Sequence, residues 1–202
     1  MSDNFDGVVP EIRSVAVYCG SSLGSDRAFV ADATMLGQEL VRRSLRLVYG
    51  GGRVGLMGAV ADAVLAGGGH AHGVITRDLL AAEVGHVGLS ELDVMESMHA
   101  RKARMGELAD AFVALPGGFG TWEELTEMLT WTQLGLQRKP IAVCNTNGFW
   151  DALIAQTNRA VADGFVKAHH GELLRVGHDP VSTLDALMAP VPLPTPKWAQ
   201  RA

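Results

Sequence analysis

The sequence predicts an α/β fold: a doubly wound, mostly parallel Rossmann-like sheet with helices on both faces. Three observations carry that prediction. Short apolar β-type runs alternate with helical patterns from end to end, which specifies parallel strands joined by crossover helices. The runs are near-continuously apolar where a half-exposed sheet would alternate, so both faces must be covered. The 202 residues also fall short of the roughly 250 that a (β/α)8 barrel needs.

Along the chain the predicted strands are "SVAVYC" (Ser14 to Cys19), "RLVYG" (Arg46 to Gly50), "HGVI" (His72 to Ile75), "LDVM" (Leu92 to Met95), "AFVALP" (Ala111 to Pro116) and "PIAVCN" (Pro140 to Asn145). Asp26 to Arg43 and Thr121 to Leu134 carry helical patterns, and "SMHARKARMGELADAF" (Ser97 to Phe112) opens with another. The end, "APVPLPTPKWAQRA", has four prolines in fourteen residues and reads as an extended or disordered tail. Residues 1–188 therefore form one domain and 189–202 a Pro-rich tail.

Composition removes several classes. The formal charge is −5 and the Lys and Arg residues are scattered, so no basic stripe awaits nucleic acid. No apolar run approaches the roughly 18 residues that span a bilayer, and the N-terminus "MSDNFDGVVPEIR" is acidic and polar, which points to the cytoplasm and away from membranes. Cys19 and Cys144 end apolar runs without close spacing and read as buried small side chains. His70 and His72 flank a strand start and His169 and His170 fall in a predicted loop; no HExxH or similar spacing occurs, so no metal is expected. Without a G-x-S-x-G elbow there is no Ser-His-Asp chemistry either.

Glycines collect beyond the carboxyl ends of the strands, where such sheets bind ligands. "CGSS" follows the first strand, "YGGGRVGLMG" the second and "LPGGFGT" the fifth. Tight strand-to-helix turns would use the same residues, but three such loops on one rim favour a phosphate-bearing small molecule. Gly50, Gly52 and Gly55 match G-x-G-x-x-G, yet the next strand ends "VITRD", with Thr76 and Arg77 before Asp78, and the pattern sits on the second strand. NAD is disfavoured, and no "GK[ST]" supports a triphosphate site. No cofactor is expected.

"LPGGFGTWEELTEM" (Leu115 to Met128) suits a monophosphate. Gly117, Gly118 and Gly120 would expose backbone N–H groups, and Thr121 would open a helix whose positive end favours an anion and keeps Glu124 ionised. Thr121 to Glu124 is also T-x-x-E, the capping-box pattern, so pattern alone leaves capping and catalysis open for Glu124. In the helix before it, Met98, Met105, Leu108 and Ala109 form one stripe that includes Arg101 but not Arg104. A buried arginine must find a partner, either a salt bridge or a ligand.

"SMHARK" followed by "LPGGFGTWEE" resembles the paired motifs of the Lonely Guy family, nucleoside 5′-monophosphate phosphoribohydrolases that activate cytokinins and are often mislabelled lysine decarboxylases. The likeness runs from Ser14 to Leu187 and includes "VYGGGRVGLMG", "HVGLSEL", "LTWTQLG" and "ADGFV". It implies a Rossmann-like homodimer that cleaves an adenosine-type nucleoside monophosphate, prenylated cytokinin forms included, into base and ribose 5-phosphate. By the same resemblance Arg101 and Glu124 are the catalytic pair, and Lys102 with Gly117, Gly118, Phe119, Gly120 and Thr121 contact phosphate and ribose. Glu83 in "LLAAEVGH" matches a substrate-contacting acid, and Met98, Gly51 and Gly52 complete the substrate set. Phe119 stands where relatives often have Tyr, and Thr76 where they have Pro. A non-catalytic nucleotide or cofactor carrier is the alternative, since the same rim can bind without reacting.

Decarboxylation would need a Schiff-base lysine, and Lys102, Lys139, Lys167 and Lys197 offer no good candidate. A homodimer is also expected from the helix in "LTEMLTWTQLGL": Leu125, Met128, Leu129 and Leu136 lie on one side and Trp131 and Leu134 on the other, more than one sheet face can cover.

Overall fold

The structure, a computed structural model, describes residues 11–83 and 85–190. Strands and helices alternate as β1 (Ser14–Tyr18), α1 (Arg27–Arg42), β2 (Arg46–Tyr49), α2 (Gly55–Ala66), β3 (Ala71–Thr76), α3 (Arg77–Glu83), β4 (Glu91–Met95), α4 (Met98–Leu108), β5 (Ala111–Ala114) and α5 (Phe119–Gln133). There follow β6 (Ile141–Cys144), a 3-10 turn (Thr146–Gly148), α6 (Asp151–Ala162), α7 (Ala168–Gly171), β7 (Leu174–Gly177) and α8 (Pro180–Met188). The strand order is β4-β3-β2-β1-β5-β6-β7, and every pairing is parallel. From β1 the chain steps outward to β4, then returns to lay β5 on the other side of β1. Val15 accordingly pairs with Leu47 on one flank and Ala111 on the other.

Successive strand residues point to opposite faces, and both faces are covered. Val15, Val17 and Cys19 pack with Leu36 and Leu40 of α1, Val60 of α2 and Leu184 of α8. Ala16 and Tyr18 pack on the other side with Met105 of α4 and Leu125 and Met128 of α5. This two-sided cover is why the strands lack alternation. The edge strands are less covered: Leu92 and Val94 of β4 are exposed, and only Gly177 of β7 is fully buried.

Local caps fix the helix starts. Asp26 accepts from Ala28 N at 2.9 Å to open α1, and Ser97 accepts from Ala100 N at 3.2 Å to open α4. Thr76 Oγ1 accepts from Leu79 N at 3.3 Å at the start of α3, a donor that proline at position 76 would leave without that acceptor.

Some expectations change. "LRVG" forms an unforeseen edge strand, β7, and its Arg175 donates to the carbonyls of Ala186 (2.5 Å), Leu187 (3.2 Å) and Ala189 (2.9 Å), gathering the end of α8. His169 and His170 lie in α7, not a loop, and His170 is buried. On α5, Trp131 and Leu129 pack against the core beside Met128, so Trp131 is not left over. The exposed apolar residues here are Phe119, Trp122 and Leu136. Of the Pro-rich tail, residues 191–202 lie outside the described residues. Cys19 and Cys144 are buried and free. Among the described residues no helix is long and apolar enough to cross a membrane, and no group of three or more His, Cys, Asp or Glu could hold a metal ion.

Candidate active site

Because β2, β1 and β5 are neighbours, their three glycine loops lie side by side where the winding reverses, the position at which open α/β sheets bind ligands. The loops touch: Gly20 N donates to Pro116 O, and Leu56 N to Gly20 O, both at 3.0 Å. Gly55 has φ +62° and its missing Cβ would overlap the Ser21 backbone, so this contact requires glycine. Gly51 O accepts from His86 N at 3.0 Å, and Gly52 bridges to Gly85. That pairing ties the segment just beyond Glu83, the last residue of α3, to the rim; the Glu83 side chain is not among the described ones.

Arg101 and Glu124 meet beneath this rim. α4 turns Arg101, Lys102 and Met105 inward, while Arg104 lies outside and pairs with Asp93 at 2.7 Å. Met98, expected in the buried stripe, is the first residue of α4 and is exposed. The Arg101 side chain is 9% exposed and Glu124 is 12% exposed. Arg101 Nε donates to Val74 O of β3 at 2.9 Å and Nη1 to Glu124 Oε1 at 3.3 Å. A Cβ on Gly50 would overlap Arg101 Nη2, so the glycine makes room for the guanidinium.

The capping alternative for Glu124 does not hold. α5 opens at Phe119 with Gly118 as its N-cap and no side-chain cap. Thr121 is therefore the buried third residue of the helix and Glu124 the sixth, beyond the first turn where the dipole acts. Burial instead decides its charge. Desolvation pushes the carboxyl up to about 7, Arg101 pulls against it and Glu123 adds to it, so the expectation of a firmly ionised Glu124 is corrected. Among the described residues no side chain caps the start of α5, which leaves the N–H groups of its first turn available to an anion.

Lys102 is buried with its Nζ ion-paired to Glu123 and, at 3.1 Å, to Glu127. Burial opposes its charge, but the two pairs outweigh burial and raise its pKa. Of the glycine-loop residues, Gly117 packs on Thr121 and Gly20, while Gly118 and Gly120 face open space. Phe119 is exposed and meets Trp122 edge-on at 5.3 Å. Tyr18, at the end of β1, is buried, and its hydroxyl is raised by desolvation and by the charges of Glu124 and Glu127. Sequence reasoning missed Tyr18 and Glu127. The i,i+4 spacing of Glu123 and Glu127 opposite Lys102 was the available signal for the second.

Residues 57–187 match a family model described as possible lysine decarboxylase. The chain is 48% identical over 181 residues to a probable cytokinin riboside 5′-monophosphate phosphoribohydrolase of Oryza sativa subsp. japonica, covering 90% of this chain and 80% of that protein. It is 46% identical over 156 residues to a cytokinin riboside 5′-monophosphate phosphoribohydrolase of Arabidopsis thaliana, covering 77% and 73%. The chain belongs to the Lonely Guy family. More distant than these Lonely Guy relatives, a molybdenum cofactor carrier protein from Chlamydomonas reinhardtii shares the fold at 17% identity and TM-score 0.64, over 86% of this chain and 93% of that one. At that identity the likeness concerns fold alone.

The decarboxylase description of the Lonely Guy model implies pyridoxal phosphate, and the residues do not fit it. Lys102 is enclosed by two carboxylates. Lys139 donates to Gly106 O at 2.5 Å and precedes β6, at the end of the sheet opposite the rim, and Lys167 is the N-cap of α7, in the connection from α6 to β7. Lys197 lies outside the described residues. No described lysine is placed to form a Schiff base at the site.

Proposed function

We propose that the chain hydrolyses the N-glycosidic bond of an adenosine-type nucleoside 5′-monophosphate, prenylated cytokinin forms included, to free base and ribose 5-phosphate. The observation that carries this reading is the buried Arg101–Glu124 pair at a glycine-lined switch point, and the relatives' names support it. Cleavage passes through a cationic ribose, as in glycoside hydrolysis. The C1′–N bond breaks, water oxygen bonds to C1′, and the base leaves with a proton. Ionised Glu124 stabilises the ribose cation or orients the water, and Arg101 holds that carboxylate in register. Gly117 to Thr121, at the start of α5, receive the phosphate. Glu83, Met98, Lys102, Gly51 and Gly52 surround the rest of the substrate in this reading, which also takes the protein as a cytoplasmic homodimer.

Purified protein is to be given a nucleoside 5′-monophosphate and, separately, the same nucleoside without phosphate, with free base measured by chromatography. The monophosphate is expected to turn over far faster. Equal rates would refute the glycine-rim assignment, and no base from either would leave the carrier.

A further inference from the structure

α4 and α5 set two cations against three carboxylates. Arg101 pairs with Glu124, and Lys102 pairs with both Glu123 and Glu127. Both cations are 9% exposed at the side chain, whereas Glu123 is 54% exposed and its charge is largely screened by water. Glu127 is 22% exposed, and its Oε2 is buried without a hydrogen-bond partner. A largely buried carboxyl, paired with Lys102, thus sits three residues along the helix from Glu124, on the flank that faces α4.

We propose that Glu127 is a positioning residue for the reaction: by holding the buried Lys102 ammonium at 3.1 Å it keeps that cation from turning onto the Glu124 carboxyl. The inference rests on the proposed hydrolysis with Glu124 as the reacting group. The groups that face Glu124 are few. Beyond burial itself, Arg101 of α4 favours its ionised form, Glu123 opposes it, Lys102 favours it and Glu127 opposes it. Tyr18 and Cys19 of β1 face the same carboxyl as buried groups whose own ionisation desolvation resists. Seen from Glu124, a closed Lys102–Glu127 pair is nearly neutral. Opening it from either side must therefore move Glu124 in opposite directions.

Glu127→Gln removes a like charge and frees part of Lys102, so Glu124 should ionise at lower pH and the acid limb of kcat/KM should move down by about 0.5–1 pH unit. Lys102→Met should move it up by a similar amount, and the double variant should return toward wild type. Carbon-13 NMR titration of the carboxyl groups, with Glu124 assigned by its absence in Glu124→Gln, reads the same shifts even where a variant is inactive. Thermal melting confirms that each variant is folded. A role confined to packing would leave the Glu124 titration where it stands, and that result overturns the inference, as would shifts of the same sign in both variants. Failure of the hydrolysis itself shows separately, as wild-type protein that releases no base.

Discussion

At Glu124 the chemistry turns on burial, because the residue lies beyond the first turn of its helix and its surroundings set its charge. In the unfolded chain the carboxyl has its ordinary value of 4.5; in the folded protein burial holds it at about 7. Wild-type stability from this group is therefore complete below pH 4.5 and is lost as pH rises through 7. Glu124→Gln carries no such loss. Its stability relative to wild type should climb between pH 4.5 and 7 and then level off, a difference of up to about 3 kcal/mol, while base release falls about 100-fold or more. Thermal melts across that range test it; a flat difference would mean that the carboxyl is not buried as a charge. The motif marked Arg101 and Glu124 in the sequence, but the shift on Glu124 was not legible there. Its burial is made by residues of β1 and α4, distant along the chain, and the T-x-x-E pattern misled because Gly118, without a side chain, starts the helix three residues early.

Among the elements, α4 and the loop after β2 act as one unit, since Gly50 leaves the space that Arg101 Nη2 fills. Gly50→Ala should push the guanidinium off Glu124 and cost activity by about 100-fold, the size expected for a misplaced charged group, with most of the fold retained. Arg101→Ala should lose a comparable factor and Arg104→Ala little, because Arg104 points to Asp93 at the partly exposed flank. Turnover of the three variants decides, and equal losses at Arg101 and Arg104 would remove the directional argument. Strands β1 to β6 were readable from their apolar runs, α1 and α4 from apolar period and caps together, and α5 from its period alone. β7 was not: four residues containing an arginine look like a loop until α8 is there to hand its carbonyls to Arg175.

For the molecule as a whole, the exposed apolar residues Phe119, Trp122 and Leu136 on and just beyond α5 call for a covering surface, and a closed two-fold pairing is the commonest way to supply one. Light scattering at micromolar concentration should give a particle of twice the 21.4 kDa chain mass; a monomer that is active at that concentration would rule the pairing out. The strand order also governs how a new chain matures. As it leaves the ribosome, β1 to β4 can assemble by adjacent steps, but the far edge of β1 stays bare until the residues from Ala111 onward arrive. In the finished protein that strand is buried along its full length, so during synthesis it is an apolar edge able to pair with other chains. The seam that frames the site thus closes only once β5 has been made, and until then the first strand is open to pairing with other chains.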